Sequence, residues 1–332
     1  MTMFLQGKRI LFFSARAFDI PDNIKLALEK EGARVDFYDE RPGNTFFVKA
    51  LIRIYRNLLA RYIDRYHQRI VEQTAGNDYD YIFFIKGESV SQKTLNHLRR
   101  LHRHAKFIIY HWDSIANNRN ALRLLPYFDQ VFSFDRSDCE KIGMNFLPLF
   151  YMTEYAAVSE IHPVNYKYDL MFVGTVHSDR YRILEDVRKQ ILGKGGRCFL
   201  YYFFQSKVLF YKMKMQQKSM RSLTRDQVHF KSLTKDQLLE LYAESRIVID
   251  IQHPKQTGLT MRCMETLGAK RKLITTNSQI KDYDFYDPNN ILVIDRNQPV
   301  IPLTFIQSAY RDVPEQIYRK YSLENWIKTI FQ

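Results

Sequence analysis

The chain has 332 residues, 45% of them hydrophobic, which is enough for two domains with ordinary cores and too apolar for a disordered chain. Lysine and arginine number 50 against 36 aspartates and glutamates, and the resulting +14 asks for an anionic partner: a nucleotide, a nucleic acid or a membrane surface. Cys139, Cys198 and Cys263 are too few and too scattered for a disulfide framework or a metal-ligand cluster.

In chain order, Arg9 to Ser14 is a short apolar run, the pattern of a buried strand. Asp22 to Glu31 has helical spacing and stops at Gly32. Ala33 to Tyr38 alternates like a strand, and a long basic helix follows from about Phe46 to Gln73. Strands are expected at Tyr79 to Ile85, Lys106 to Tyr110 and Gln130 to Ser133, with a helix over about Ser91 to His104. The pattern restarts after Pro148 to Tyr151 and the loop through His162 and Pro163. Further strands are read at 168–173, 198–202, 246–250, 272–275 and 291–294, with helices over 179–192 and 234–244. Strands alternating with helices imply parallel sheets covered on both faces. The expected fold class is α/β, with two Rossmann-like domains facing across a cleft. The expected division is 1–155, 156–312 and a carboxyl-terminal helix within 313–332 that packs back on the first domain. No apolar run reaches the length of a transmembrane helix, and the amino-terminal apolar run is too short for a signal peptide. The expected location is the cytoplasm, with peripheral contact at the inner face of a membrane.

The stretch Gln256 to Asn277 is the most informative. It reads as a loop, a short helix and a buried strand. Gly258 permits close approach of backbone to a ligand. Thr260 is placed to cap a helix whose N-terminus favours an anion. Arg262 and Glu265 share one face of that helix, offering a cation and a carboxylate beside a phosphate-sized site. The plain alternative is an exposed salt bridge.

Three first-domain residues have the chemistry of a general base. His111 and Asp113, in His-Trp-Asp-Ser114, follow a strand, and Glu88 lies just past the equivalent end of the strand before it. The alternative is that Asp113 and Glu88 cap turns and Trp112 packs in the core. Asp135 reads as a helix cap with Asp138 in its first turn. No residues suggest a metal site. The helix around Lys49 to Arg69 is amphipathic, with arginines at 53, 56, 61, 65 and 69. Its apolar face suits a sheet, and its basic face suits an anionic membrane. Lys207 to Arg221 adds a second basic cluster, with Lys212, Lys214 and Lys218.

On Phe172 to Thr175 with Arg180, Val131 to Asp138, Pro148 to Tyr151 and Gly258 to Asn277, the chain resembles GT-B glycosyltransferases. The closer likeness is to the CgeB-like and group 1 transferases of bacterial surface polysaccharide (lipopolysaccharide or capsule) biosynthesis. The resemblance implies a metal-independent, hexosyltransferase-like enzyme. It would move a sugar from a nucleotide-diphosphate sugar to a glycan or lipid-linked acceptor, with no cofactor besides that donor. Gly174 and Thr175 would flank the donor diphosphate, with Arg180 and Arg262 as its cationic contacts. His253 and Lys255 would lie in the donor loop, and Glu265 would bind the ribose. One position departs from the pattern: Thr257 stands where retaining relatives carry a sugar-facing glutamate. The competing classes are a nucleic-acid-binding protein, for which no usual motif is present, and a nonenzymatic scaffold on a degenerate transferase fold.

Overall fold

The computed structural model describes residues 3–16, 19–43, 56–117, 120–161, 165–254 and 257–332. The chain forms two compact units, Met1–Pro148 with Leu323–Gln332, and Leu149–Ser322. Each is built on a six-stranded sheet whose strand pairs are all parallel.

The first unit runs β1 (Arg9–Ser14), α1 (Ile20–Lys30), β2 (Arg34–Asp39), α2 (Arg56–Thr74), β3 (Tyr81–Ile85), α3 (Gln92–Leu101) and β4 (Lys106–His111). It continues with α4 (Asn120–Leu124), β5 (Gln130–Ser133), α5 (Arg136–Ile142) and β6 (Asn145–Phe146). The second unit runs α6 (Thr153–Ser159), β7 (Tyr168–Gly174), α7 (Arg180–Gly193), β8 (Cys198–Phe203), α8 (Lys207–Gln216), β9 (Val228–His229), α9 (Lys235–Glu244) and β10 (Ser245–Asp250). Then come α10 (Met261–Gly268), β11 (Lys272–Thr275), β12 (Ile291–Val293), α11 (Leu303–Gln307) and α12 (Glu315–Lys320). The last helix, α13 (Leu323–Phe331), returns to the first unit.

The strand runs follow from burial on both faces. Ile82, Phe83, Phe84 and Ile85 of β3 are all fully buried, so a continuous apolar run is what that position requires. The helices start where their caps stand. Ser91 accepts from the Thr94 N–H, and Asp135 accepts from those of Ser137 and Asp138. Thr234 and Gln237 form a reciprocal capping box on α9. In α2, Ile63, His67 and Ile70 face the core while Arg61, Arg65 and Arg69 are exposed. Arg53 and the helix start expected near Phe46 lie outside the described residues. The edge strands β6 and β9 have two residues each, too short to show a period in sequence.

The units part at Pro148, and the expected position 155 lies inside the second unit. There the Tyr151 N–H donates to the Tyr321 carbonyl at 2.9 Å. The stretch 313–332 also divides, α12 staying with the second unit and α13 joining the first. The ring of Trp326 meets Tyr110 at 4.7 Å, and Phe331 meets Phe83 at 5.3 Å.

Strand order is β2-β1-β3-β4-β5-β6 in one sheet and β12-β11-β10-β7-β8-β9 in the other. Each order reverses beside its first strand, between β1 and β3 and between β7 and β10. Such a reversal opens a crevice past the carboxyl ends of the strands. Among the described residues no helix is long and apolar enough to cross a membrane.

Candidate functional site

In the second unit, β7, β10 and the start of α10 converge at that reversal. Arg262, in the first turn of α10, donates to Asp250 at the end of β10 over 3.2 Å. It also donates to the carbonyl of Val173, and its guanidinium lies 5.0 Å from the Phe172 ring centre. Gly174 has a specific reason here: a Cβ would stand 3.1 Å from Arg262 Nη2. Arg180 comes to the same place from α7. It donates to the carbonyls of Ile251 and Thr175, each at 2.7 Å, and reaches the Phe172 ring at 5.9 Å. One aromatic ring therefore receives two arginines. Thr175 takes part through its backbone.

Thr260 caps α10 by accepting from the Cys263 N–H, and its hydroxyl donates to Asp250 at 2.9 Å. Asp250, only 2% exposed, thus ties the end of β10 to both the cap and the cation of α10. Arg262 has Asp250 as its ion-pair partner, so it is not the exposed helix pair with Glu265. Glu265 instead accepts from the Tyr242 hydroxyl at 3.1 Å. Burial raises the Glu265 pKa, against the opposing pull of Arg262 and Tyr242. Gly258 and Thr257 are held from behind by the buried Asn277 amide, which donates to their carbonyls at 3.5 and 2.9 Å. His253 lies 5.2 Å from His177, ring to ring. Lys255 lies outside the described residues.

Asp250, His177 and Arg296 also belong to this cluster, although the sequence reading made none of them a site residue, and Phe172, which opens one of the resembling segments, contributes its ring. An aspartate closing an otherwise apolar strand was the available signal for Asp250. Arg296 grips Asp179 with two bonds of 2.6 and 3.1 Å and donates to Thr276 at 3.0 Å. Enclosure and neighbouring charge both act on the titratable groups here. Arg180 is pulled down to about 10, first by burial and then by Arg262. His177 is pulled down to about 4, by burial and then by Arg180 and His253. Burial is the first cause of both shifts, and the cations that add to it, Arg262 beside Arg180 and Arg180 beside His177, form a positive cluster that complements a phosphate.

In the first unit the loops after β2, β3 and β4 bring another set together. Lys86 stands 3.0 Å from Asp113 and 3.6 Å from Glu88, and Arg41 also pairs with Glu88. Lys86 has φ 81° and Gly87 φ 61°, a left-handed turn that aims the lysine along these carboxylates. Asp113 is 39% exposed and Glu88 16%. His111 lies deeper than the two carboxylates. It is 1% exposed, burial holds its pKa down at about 4, and a hydrogen bond ties it to the Lys86 backbone. A side chain so enclosed supports the turn that carries Lys86. At the next turn Asp138 accepts the Ile115 N–H at 2.7 Å. Asp135 and Asp138 have the structural roles their spacing implies.

The fold is that of the GT-B glycosyltransferases: two α/β units, each on a parallel six-stranded sheet. A trehalose-phosphate synthase (UDP-forming) from Burkholderia xenovorans, in complex with glucose-6-phosphate, superimposes with a TM-score of 0.61 at 12% identity over 97% of this chain and 98% of that one. Sucrose-phosphate synthase from Thermosynechococcus elongatus gives 0.57 at 12% identity, over 98% and 95%. Anabaena HepE, in complex with UDP and glucose, gives 0.57 at 11% identity, over 98% of both chains. No protein-family model matches the sequence, and no curated protein matches it.

Proposed function

We propose that the chain is a nucleotide-sugar-dependent glycosyltransferase. One observation carries this reading: Arg180 and Arg262 converge on Phe172 at the strand reversal, with Glu265 one turn further along α10. The arginines suit a diphosphate, and the carboxylate suits ribose hydroxyls. The UDP bound by HepE, and the UDP-forming reaction of the trehalose-phosphate synthase, support a uridine donor.

The acceptor belongs to the first unit in this reading. Asp113, the more exposed of the two carboxylates beside Lys86, takes the proton from the acceptor hydroxyl. That oxygen bonds the anomeric carbon, the bond from that carbon to phosphate breaks, and nucleoside diphosphate leaves with the electron pair. Arginines in place of a metal ion meet the charge on the leaving group, and no cofactor enters. The excess of basic residues supports a glycan or lipid-linked acceptor of cell-surface polysaccharide synthesis, worked on at a membrane surface.

Calorimetry with UDP tests the donor half. Glu265→Gln is expected to weaken UDP about tenfold. Unchanged affinity removes Glu265 from the site. Asp113→Asn is expected to lower turnover about a hundredfold or more with UDP affinity intact. A donor anion also raises the pKa of His177, which NMR reads directly with and without UDP.

A further inference from the structure

We propose that α8 is an interfacial anchor that lays an apolar stripe into an anionic lipid surface. The inference rests on the membrane setting proposed above and gives it a physical contact. Three large apolar residues of this ten-residue helix are held out to solvent: Val208 is 78% exposed, Tyr211 52% and Met215 85%. They recur at i, i+3 and i+7, which places them along one face. The opposite face is already used, since Phe210 is fully buried and Met213 packs against the same core. Val208 and Met215 are therefore surplus to folding, while the Tyr211 ring also touches that of Phe210 at 5.0 Å. A hydrophobic contact this exposed in three successive turns marks an interaction face.

Charge decides among the occupants. Between Val187 and Arg225 the chain carries no aspartate or glutamate, while Lys207, Lys212, Lys214, Lys218, Arg221 and Arg225 surround or follow the helix. Lys207, Lys212 and Lys218 are exposed. Lys214 is the exception, donating to the Leu223 carbonyl at 2.6 Å. An apolar stripe between lysines fits a bilayer, which offers hydrocarbon below a plane of phosphates. A polynucleotide would use the charges and leave Val208 and Met215 in water. The basic helix α2 is a poorer anchor. Ile63, Ile70 and Val71 are buried, so its apolar face is committed to its own sheet.

The test is flotation of the full chain with vesicles of phosphatidylcholine alone or mixed equally with phosphatidylglycerol. Wild type is expected to bind the mixed vesicles and not the neutral ones. Val208→Gln with Met215→Gln leaves every charge in place and should weaken binding roughly tenfold. Lys212→Glu with Lys218→Glu should weaken it at least as much and remove its salt dependence. Circular dichroism confirms that both variants stay folded. Binding that ignores the apolar pair, or is matched by duplex DNA, overturns the anchor in favour of a general polyanion patch. So does a wild-type dimer that the apolar pair dissociates, which would make the stripe a contact with a second copy. UDP titration of the same samples separates the two proposals. A protein that floats with vesicles but ignores UDP keeps the anchor and loses the transferase reading.

Discussion

Asp250 holds the donor-side cluster in register. Its two carboxylate oxygens take different partners, Arg262 and Thr260, so one buried residue fixes both the cation and the helix entry. Asp250→Asn leaves the Arg262 charge without its counter-ion and should cost about 2–3 kcal/mol in urea unfolding. A loss no larger than about 0.5 kcal/mol, the scatter of surface substitutions, would show that the pair does little. Glu40 makes the opposite case in the first unit. It is wholly buried, its Oε1 accepts the Ser89 N–H at 2.6 Å, and burial raises its pKa to about 7. The folded state therefore keeps a proton that the unfolded state releases near its ordinary value. This contribution to stability is full below about 4.5 and is lost as pH climbs through about 7, a difference of about 3 kcal/mol. Glu40→Gln should remove that slope, so the variant gains on wild type between pH 5 and pH 8. Parallel pH profiles of the two proteins would refute it. Glu40 did not stand out in sequence, because an acidic residue just past a strand has no period to betray its burial.

At the scale of elements, α10 shows why its sequence is so telling. Thr260 caps it, Arg262 reaches back to β7 and β10, and Cys263, Met264 and Leu267 bury its inner face. Gly268 ends it against Tyr151, where a Cβ would come within 2.7 Å of the tyrosine side chain. Gly268→Ala should therefore cost about 1–3 kcal/mol by overpacking, although alanine favours helices. A thermal melt with an unchanged midpoint would mean that Tyr151 yields freely. Caps of this kind were readable beforehand at Asp135 and Thr260, because capping is a contact between residues two or three apart. The short helix α6 and the edge strands β6 and β9 were not, since each owes its form to neighbours far along the chain.

At the scale of the whole molecule, the chain crosses back to finish the first unit. Trp326, Ile327, Ile330 and Phe331 of α13 are buried with Phe83 and Tyr110. Removing 323–332 should expose that side of the first sheet, making the truncated protein bind hydrophobic dyes and yield quickly to protease. A truncated chain as protease-resistant as the intact one would contradict this packing.

Sequence by itself determined the α/β class and most strand positions. Alternating apolar periods are local, and buried parallel strands leave little choice of residue. It also marked α10 and its arginine, because a cap, a glycine and a charged face lie within one short segment. Only the tertiary structure decided which strands meet at the reversal. That decision brought Asp250, Phe172, Arg180, Arg262 and Arg296 together from distant parts of the chain, and it buried His111. The same step left Val208, Tyr211 and Met215 outside a finished core. Burial and long-range pairing depend on what lands opposite a residue, and no local pattern carries that information.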